Sequence, residues 1–214
     1  MSKKKYLVVI TDVVNSREIA NRTIFKRLLN KAIFRLNHMY KLAFVAPIKI
    51  QKGLDELAMV IKPSHQKILY VIINDLNNAI APINMRYAVV SGKIDVGLTQ
   101  HDVSNMDGDA FHKAAEGITI LKENELTIYS KTGNINFDIN FQNQANLLQI
   151  LKNKWTIKQR ETYTLYKQLS NQHSVAKKMK VSQQTISKVL HSIQAQQIIQ
   201  IEQRFENWLT NYHI

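Results

Sequence analysis

Tyr6-Leu7-Val8-Val9-Ile10-Thr11, closed by Asp12, is the stretch on which the fold turns. It is an unbroken apolar run between Lys3-Lys4-Lys5 and an aspartate, which reads as a strand buried on both faces. Downstream, from about Glu18 to Leu42, Ile24, Leu28, Leu29, Ala32, Ile33, Leu36, Met39 and Tyr40 recur at helical spacing and predict one long amphipathic helix. Residues 43–50 and 57–61 are strand-like around a polar turn at 51–56, a hairpin. Pro63-Ser64 then precedes a second helix bearing Ile68, Leu69, Val71, Ile72, Leu76 and Ala79, and 83–90 is a further strand continuing past Gly92 toward Gly97. The order β-α-β-β-α-β is the ferredoxin-like arrangement.

Beyond it, Asp107-Gly108 opens a third helix with Ala110, Phe111, Ala114, Ile118 and Leu121 on its apolar side, Asp107 serving as N-cap. Residues 126–129 and 135–141 read as a last hairpin around Lys131-Thr132-Gly133-Asn134. In its second arm Ile135, Phe137, Ile139 and Phe141 alternate with polar residues, as a half-buried edge strand would. From Asn143 onward the pattern is helical. The expectation is an α+β chain: a ferredoxin-like, palm-type domain over 1–142 and an all-α helix-turn-helix domain over 143–214.

Composition narrows the chemistry. The 214 residues contain no cysteine, which excludes disulfides, thiolate zinc sites and cysteine nucleophiles. Six scattered glycines make no phosphate-cradling loop. No apolar run reaches the roughly 18–20 residues that span a bilayer, and the one near the start is too short for a signal core. A cytoplasmic protein without a membrane partner is expected. The formal charge is +13, and residues 151–214, with 10 Lys/Arg against 3 Asp/Glu, hold more than half of it. Dense positive charge attracts polyanions.

A motif lies on that charge. Thr156-Ile157-Lys158-Gln159 fits a capping box, starting a helix that runs to about Leu169. In Gln172–Leu190, Ala176 is the small residue where two helices cross, and Val175, Met179, Val181, Ile186 and Val189 hold the pair together. Ser182 is a suitable N-cap for the second helix. Its outward side chains, Gln183, Gln184, Thr185, Ser187, Lys188 and His191, together with Ser182 and the nearby Lys177 and Lys178, suit base edges and phosphates. Lys180 stands where glycine is preferred at a left-handed turn. The apolar residues that follow, among them Ile193, Ile198, Ile199, Phe205, Trp208 and Leu209, exceed what one small bundle hides. They either pack on the first domain or form the seam of a homodimer, and the dimer is the preferred expectation.

Acidic residues mark the front half. Asp12 ends the first strand and Asp55-Glu56 lies in the following hairpin. Adjacent strands would bring these carboxylates to one edge, a donor set suited to Mg²⁺ or Mn²⁺ carrying a nucleotide. The blocks Ile10-Thr11-Asp12-Val13-Val14-Asn15-Ser16-Arg17, Gly53-Leu54-Asp55-Glu56-Leu57 and Met106-Asp107-Gly108-Asp109-Ala110-Phe111-His112 resemble the three motifs of the SatD-like bacterial family, in order and with a helical tail behind them. That family's front domain is similar to nucleotidyl-cyclase and GGDEF-type palm domains, which hold two metal ions on an aspartate after strand one and another in the β2–β3 hairpin. The resemblance thus implies Asp12 and Asp55, with Glu56 beside them, as metal ligands. It further implies Asn15, Ser16, Arg17, Asp107 and His112 as nucleotide or ligand contacts. Arg17 and Arg86 are candidate phosphate contacts. This chain departs from the family at Thr11, which replaces a glycine, at the extra residue between Gly53 and Asp55, and at Leu57, which replaces an aromatic.

No catalytic residue is assigned. The leading expectation is a transcription-regulator-like protein that binds double-stranded DNA and senses a nucleotide. The alternative is a metal-dependent nucleotide-processing enzyme of the cyclase or palm type whose helical tail serves oligomerisation.

Overall fold

The computed structural model describes residues 4–53 and 55–212. Strand β1 (Tyr6–Val13) forms as its sequence dictates, with Leu7, Val9 and Val13 buried on one face and Val8 and Ile10 on the other. Around it lie β2 (Phe44–Lys52), β3 (Glu56–Ile61), β4 (Met85–Gly92) and β5 (Ile128–Lys131), in the order β2-β3-β1-β4-β5. The first four pair antiparallel, and β5 joins β4 in parallel. The chain is therefore α+β, built on a mixed five-stranded sheet. Pro47 falls in β2, an edge strand, where a missing amide donor costs least. Asn37 secures that edge, its amide donating to the Ile48 carbonyl at 2.9 Å while its carbonyl accepts from the Ile48 amide at 2.8 Å.

The sheet's two faces are covered unequally. On one lie α1 (Arg22–Met39) and α2 (Ile68–Ile80), whose Phe25, Leu29, Leu36, Leu69, Ile72 and Leu76 meet Leu7, Val9, Met59 and Tyr87 in one cluster. On the other lies α3 (Asp109–Glu123), with residues 93–107 beside it, packing Ala110, Ala114, Ile118 and Leu121 on Val8, Ile10, Ala58 and Val90. α3 rides close to the sheet. A Cβ at Gly117 would stand 2.5 Å from the Tyr129 ring and 3.0 Å from the Ala88 methyl, and one at Gly92 would stand 2.9 Å from the Ala110 methyl.

Three expectations are corrected. Residues 135–141 are not a strand but the start of α4 (Ile135–Asn153), whose N-cap Asn134 accepts from the Phe137 amide at 3.2 Å. The buried set is Phe137, Phe141, Ala145 and Leu148, spaced by four, four and three residues, while Ile135 and Ile139 face solvent. β4 stops at Gly92 rather than running on toward Gly97. Asp107 does not cap α3: the N-cap is Gly108, and the Asp107 carboxylate accepts from the Gly108 amide at 2.7 Å.

The remaining helices are α5 (Ile157–Leu169), α6 (Gln172–Met179), α7 (Gln183–Ser192) and α8 (Ala195–Asn211). Local signals hold here. Thr156 and Gln159 form both bonds of the capping box, Ser182 caps α7 through the Thr185 amide at 3.1 Å, and Lys180 takes the left-handed conformation at φ 55°. α8 then folds back onto the layer over the sheet. The Phe205 ring lies tilted against Tyr70 at 5.0 Å and Phe141 at 5.8 Å, and Trp208 lies 5.2 Å from Phe137. The apolar residues expected at a dimer seam, Ile193, Ile198, Phe205 and Leu209, are buried in the same cluster as β1 and α2. α4 runs unbroken from the sheet into this helical layer.

A carboxylate between two cations, and a buried ionic knot

Asp12 sits at the end of β1 on the α3 side of the sheet. In the antiparallel register it stands directly opposite Glu56 of β3 and Arg86 of β4, and opposed residues point their side chains to the same face. The Arg86 guanidinium donates to Asp12 Oδ2 at 3.1 Å, and Lys122, in the last turn of α3, places its Nζ 2.9 Å from Oδ1. Each carboxylate oxygen thus holds its own cation, and Asp12 and Arg86 are each only 15% exposed, so water screens the pair weakly.

The strand register places Glu56, rather than Asp55, across from Asp12. Asp55 meets β1 through its backbone, its carbonyl accepting from the Val13 amide at 2.8 Å. Among the described residues no group of three or more His, Cys, Asp or Glu side chains is placed to hold a metal ion. The donors at this edge suit a hard cation that arrives with phosphates, since Mg²⁺ is commonly held by one or two carboxylates and completed by phosphate oxygens and water.

Other residues implied by the resemblance are not gathered here. Asn15 takes a left-handed conformation and donates to Glu18 at 3.2 Å, with Ser16 and Arg17 in the short 3-10 turn that follows. Asp107 and His112 lie 3.4 Å apart, 64% and 74% exposed, at the opposite end of α3 from Lys122. The thirteen helical steps from Asp109 to Lys122 separate the two ends by about 20 Å at 1.5 Å per step. Lys122, by contrast, carried no signal in the sequence: its role depends on how α3 crosses the sheet.

A second polar constellation lies in the core. Glu202 of α8 is fully buried and receives Lys152 of α4, Lys167 of α5 at 2.9 Å, and the hydroxyls of Tyr70 (2.7 Å) and Tyr163 (2.6 Å). Lys152 also donates to Asn74 Oδ1 at 2.6 Å. Burial alone would push the Glu202 carboxyl up, but Lys152 and Lys167 outweigh it and hold it at about 2. Burial, and then the Glu202 charge, push both tyrosine hydroxyls up, so each stays a donor.

On the helices once assigned to DNA, part of the polar inventory is spent within the chain. Gln183 donates to Gln172 at 2.6 Å, and the Ser182 and Thr185 hydroxyls are bonded at 2.8 Å. Ser187 and His191 line a cavity of about 290 Å³ with Gln194 and Gln197. Lys177, Lys178, Gln184 and Lys188 are exposed.

The sequence profile of the SatD family matches residues 6–207. No curated protein matches the chain. Among solved structures, the chain is similar to a bacterial light-regulated adenylyl cyclase at 11% identity and a TM-score of 0.42, over 59% of this chain and 43% of that one. It is also similar to the guanylyl cyclase domain of the RhoGC fusion protein from the aquatic fungus Blastocladiella emersonii, at 19% identity and a TM-score of 0.39, over 54% of this chain and 73% of that one. The chain spans less than half of the light-regulated cyclase. These findings correct the reading of a DNA-binding transcription regulator. The family profile runs through sheet and helices alike, and the helices behind the sheet share its core, so they are not an appended DNA-reading module.

Proposed function

The chain belongs to the SatD family, and from that premise we propose that the α3-side end of its sheet binds a nucleoside triphosphate with a divalent cation, as a nucleotide-processing domain of the cyclase or palm type. The observation that carries this is Asp12, held between Arg86 and Lys122 at 3.1 and 2.9 Å with Glu56 directly opposite.

Two carboxylates and two cations in one place are the complement of a metal–polyphosphate. Asp12 and Glu56 would hold the ion, and Arg86 and Lys122, released from Asp12, would turn to the phosphate oxygens. Arg presents a planar fork to such oxygens and Lys a point charge, so the two are suited to different phosphates of one chain. A bound divalent ion would supply neutralisation of phosphate charge and polarisation of the P–O bonds. Asp12, Arg86 and Lys122 are paired with one another, which keeps the edge from carrying uncompensated charge at a weakly screened position.

The test is calorimetric titration of ATP and GTP with Mn²⁺ into the full chain, with D12N and R86A/K122A in parallel. Wild type should bind in a metal-dependent way, D12N should lose the metal dependence, and R86A/K122A should lose at least about tenfold in affinity, the equivalent of about 1.4 kcal/mol. Equal affinity of all three, or none in wild type, sinks the assignment.

A further inference from the structure

α1 is a helix with little of itself in the core. It buries Phe25, Leu29, Ala32 and Leu36, and the rest of its surface faces out. Exposed there are Ile24, Leu28, Phe34 and Met39, with Leu42 in the turn that follows. Phe34 is 77% and Leu42 79% exposed, an unusual state for side chains of that size. Between them stand the exposed cations Lys26, Arg27 and Lys31. No acidic residue occurs anywhere between Glu18 and Asp55, a stretch with eight Lys/Arg. Within that stretch Arg35 is paired to Asp75 at 3.0 Å and Lys49 to Asp102 at 2.7 Å.

We propose that this outward face of α1, with the turn at Leu42, docks on an anionic lipid surface. Cations interleaved with large apolar side chains match the boundary between charged headgroups and acyl chains. Lys and Arg side chains are drawn to the negative surface potential, while Phe34 and Leu42 enter the apolar layer beneath it. A duplex, with its bases stacked inside, would satisfy the lysines and arginines but leave Phe34 and Leu42 in water, and a single strand could stack a base on Phe34 but offers nothing to Leu42, so the apolar half of the face favours lipid. No helix of the described residues is long and apolar enough to cross a membrane, and a helix lying in the headgroup plane needs no such length. The short apolar runs of the sequence argue against a span and a signal core, not against a helix in the headgroup plane. α1 packs with Leu7, Val9 and Val13, on the face of the sheet opposite the one that carries Asp12. A chain docked this way keeps the Asp12 edge open to water.

The experiment is co-sedimentation of the full chain with phosphatidylcholine vesicles, with and without phosphatidylserine. Wild type should partition to the phosphatidylserine vesicles in a salt-sensitive way and not to phosphatidylcholine alone. Both F34S/L42S and K26Q/R27Q/K31Q should lose about tenfold or more. These positions are exposed, so circular dichroism should report native folding. In F34W the added emission should shift to the blue on the vesicles, over a constant contribution from Trp155 and Trp208. If F34S/L42S binds like wild type, or the F34W emission does not move, the attraction is one of charge alone and the proposal fails. Loss of single-stranded RNA binding in F34S/L42S, with vesicle binding unchanged, would assign the face to nucleic acid and overturn it equally.

Discussion

Lys152 of α4 and Glu202 of α8, fifty residues apart in sequence, form an ion pair closed off from water, with Lys167 and two tyrosine hydroxyls completing the carboxylate's partners. A buried pair so fully hydrogen-bonded ties α2, α4, α5 and α8 to one point. Its net contribution over an apolar replacement is small, but removal of one partner alone strands the others.

E202Q should therefore destabilise the chain by about 3–5 kcal/mol, because Lys152 is left charged and buried beside an amide. K167M should cost clearly less, since Lys167 is a third exposed and Glu202 keeps Lys152. Urea unfolding followed by circular dichroism measures both, and equal losses would remove Lys152 from its central place.

The same knot sets an acid limit. Glu202 ionises at about 2 in the folded chain against an ordinary value of 4.5. A carboxyl lowered on folding contributes stability that is fully present above the unfolded value and is lost as pH falls toward the folded one. The contribution, on the order of 3 kcal/mol, should drain away between about pH 4.5 and 2. E202Q should show a flatter urea-midpoint profile than wild type across that window, and parallel profiles would contradict the assignment.

Asp12 is partly exposed, and its role in the fold is smaller. D12N should cost about 1–2 kcal/mol, as Lys122 turns to water and Arg86 keeps an amide oxygen to donate to in place of a carboxylate. A variant that melts as one cooperative unit a few degrees below wild type makes any loss of nucleotide binding attributable to the edge itself.

Gly117 lets α3 approach the sheet closely enough for Lys122 to reach Asp12. G117A gains helix propensity of about 1 kcal/mol but drives a methyl into the Tyr129 ring and the Ala88 side chain. Overpacking of this kind costs about 1–3 kcal/mol. The expected outcome is a net loss of stability together with weaker nucleotide binding in calorimetry, although the residue touches neither Asp12 nor Arg86. Unchanged affinity would show that Lys122 is not held in place by the seating of α3.

The helical reading of 135–153 has its own check. F137A should cost about 3–5 kcal/mol and I139K should be neutral within about 0.5 kcal/mol. A half-buried strand would penalise both.

Much of the sheet half was legible because β1, β3 and β4 are short apolar runs between turn residues, and α1 and α2 are long enough for the helical period to declare itself. The failure at Ile135-Asn136-Phe137-Asp138-Ile139-Asn140-Phe141 has a physical cause. α4 is apolar on two sides, with Phe137 and Phe141 inward and Ile135 and Ile139 outward, so seven residues satisfy a period of two as well as they satisfy a helix. The discriminating signal is the Asn134 cap, and asparagine is equally at home in a turn. At the site, Asp12, Glu56 and Arg86 could be found from strand ends. Asp55 and Glu56 could not be told apart, because only the register decides which one faces Asp12. Asp107 and His112 were grouped with Asp12 by motif, and a helix's length separates them. The polar face of α7 met every local requirement of a reading helix, but local geometry does not specify a ligand.

The unbroken course of α4 from Ile135 to Asn153 bears on how this protein can be cut. A fragment ended at residue 142 would stop in the middle of that helix, baring Tyr70, Asn74 and the apolar face beneath α8 to solvent. A fragment begun at residue 143 would carry Glu202 without Tyr70, and Phe205 without the Tyr70 and Phe141 rings. Neither half holds a finished interior: a cut at 142/143 runs through the middle of α4 and through the core that sheet and helices share.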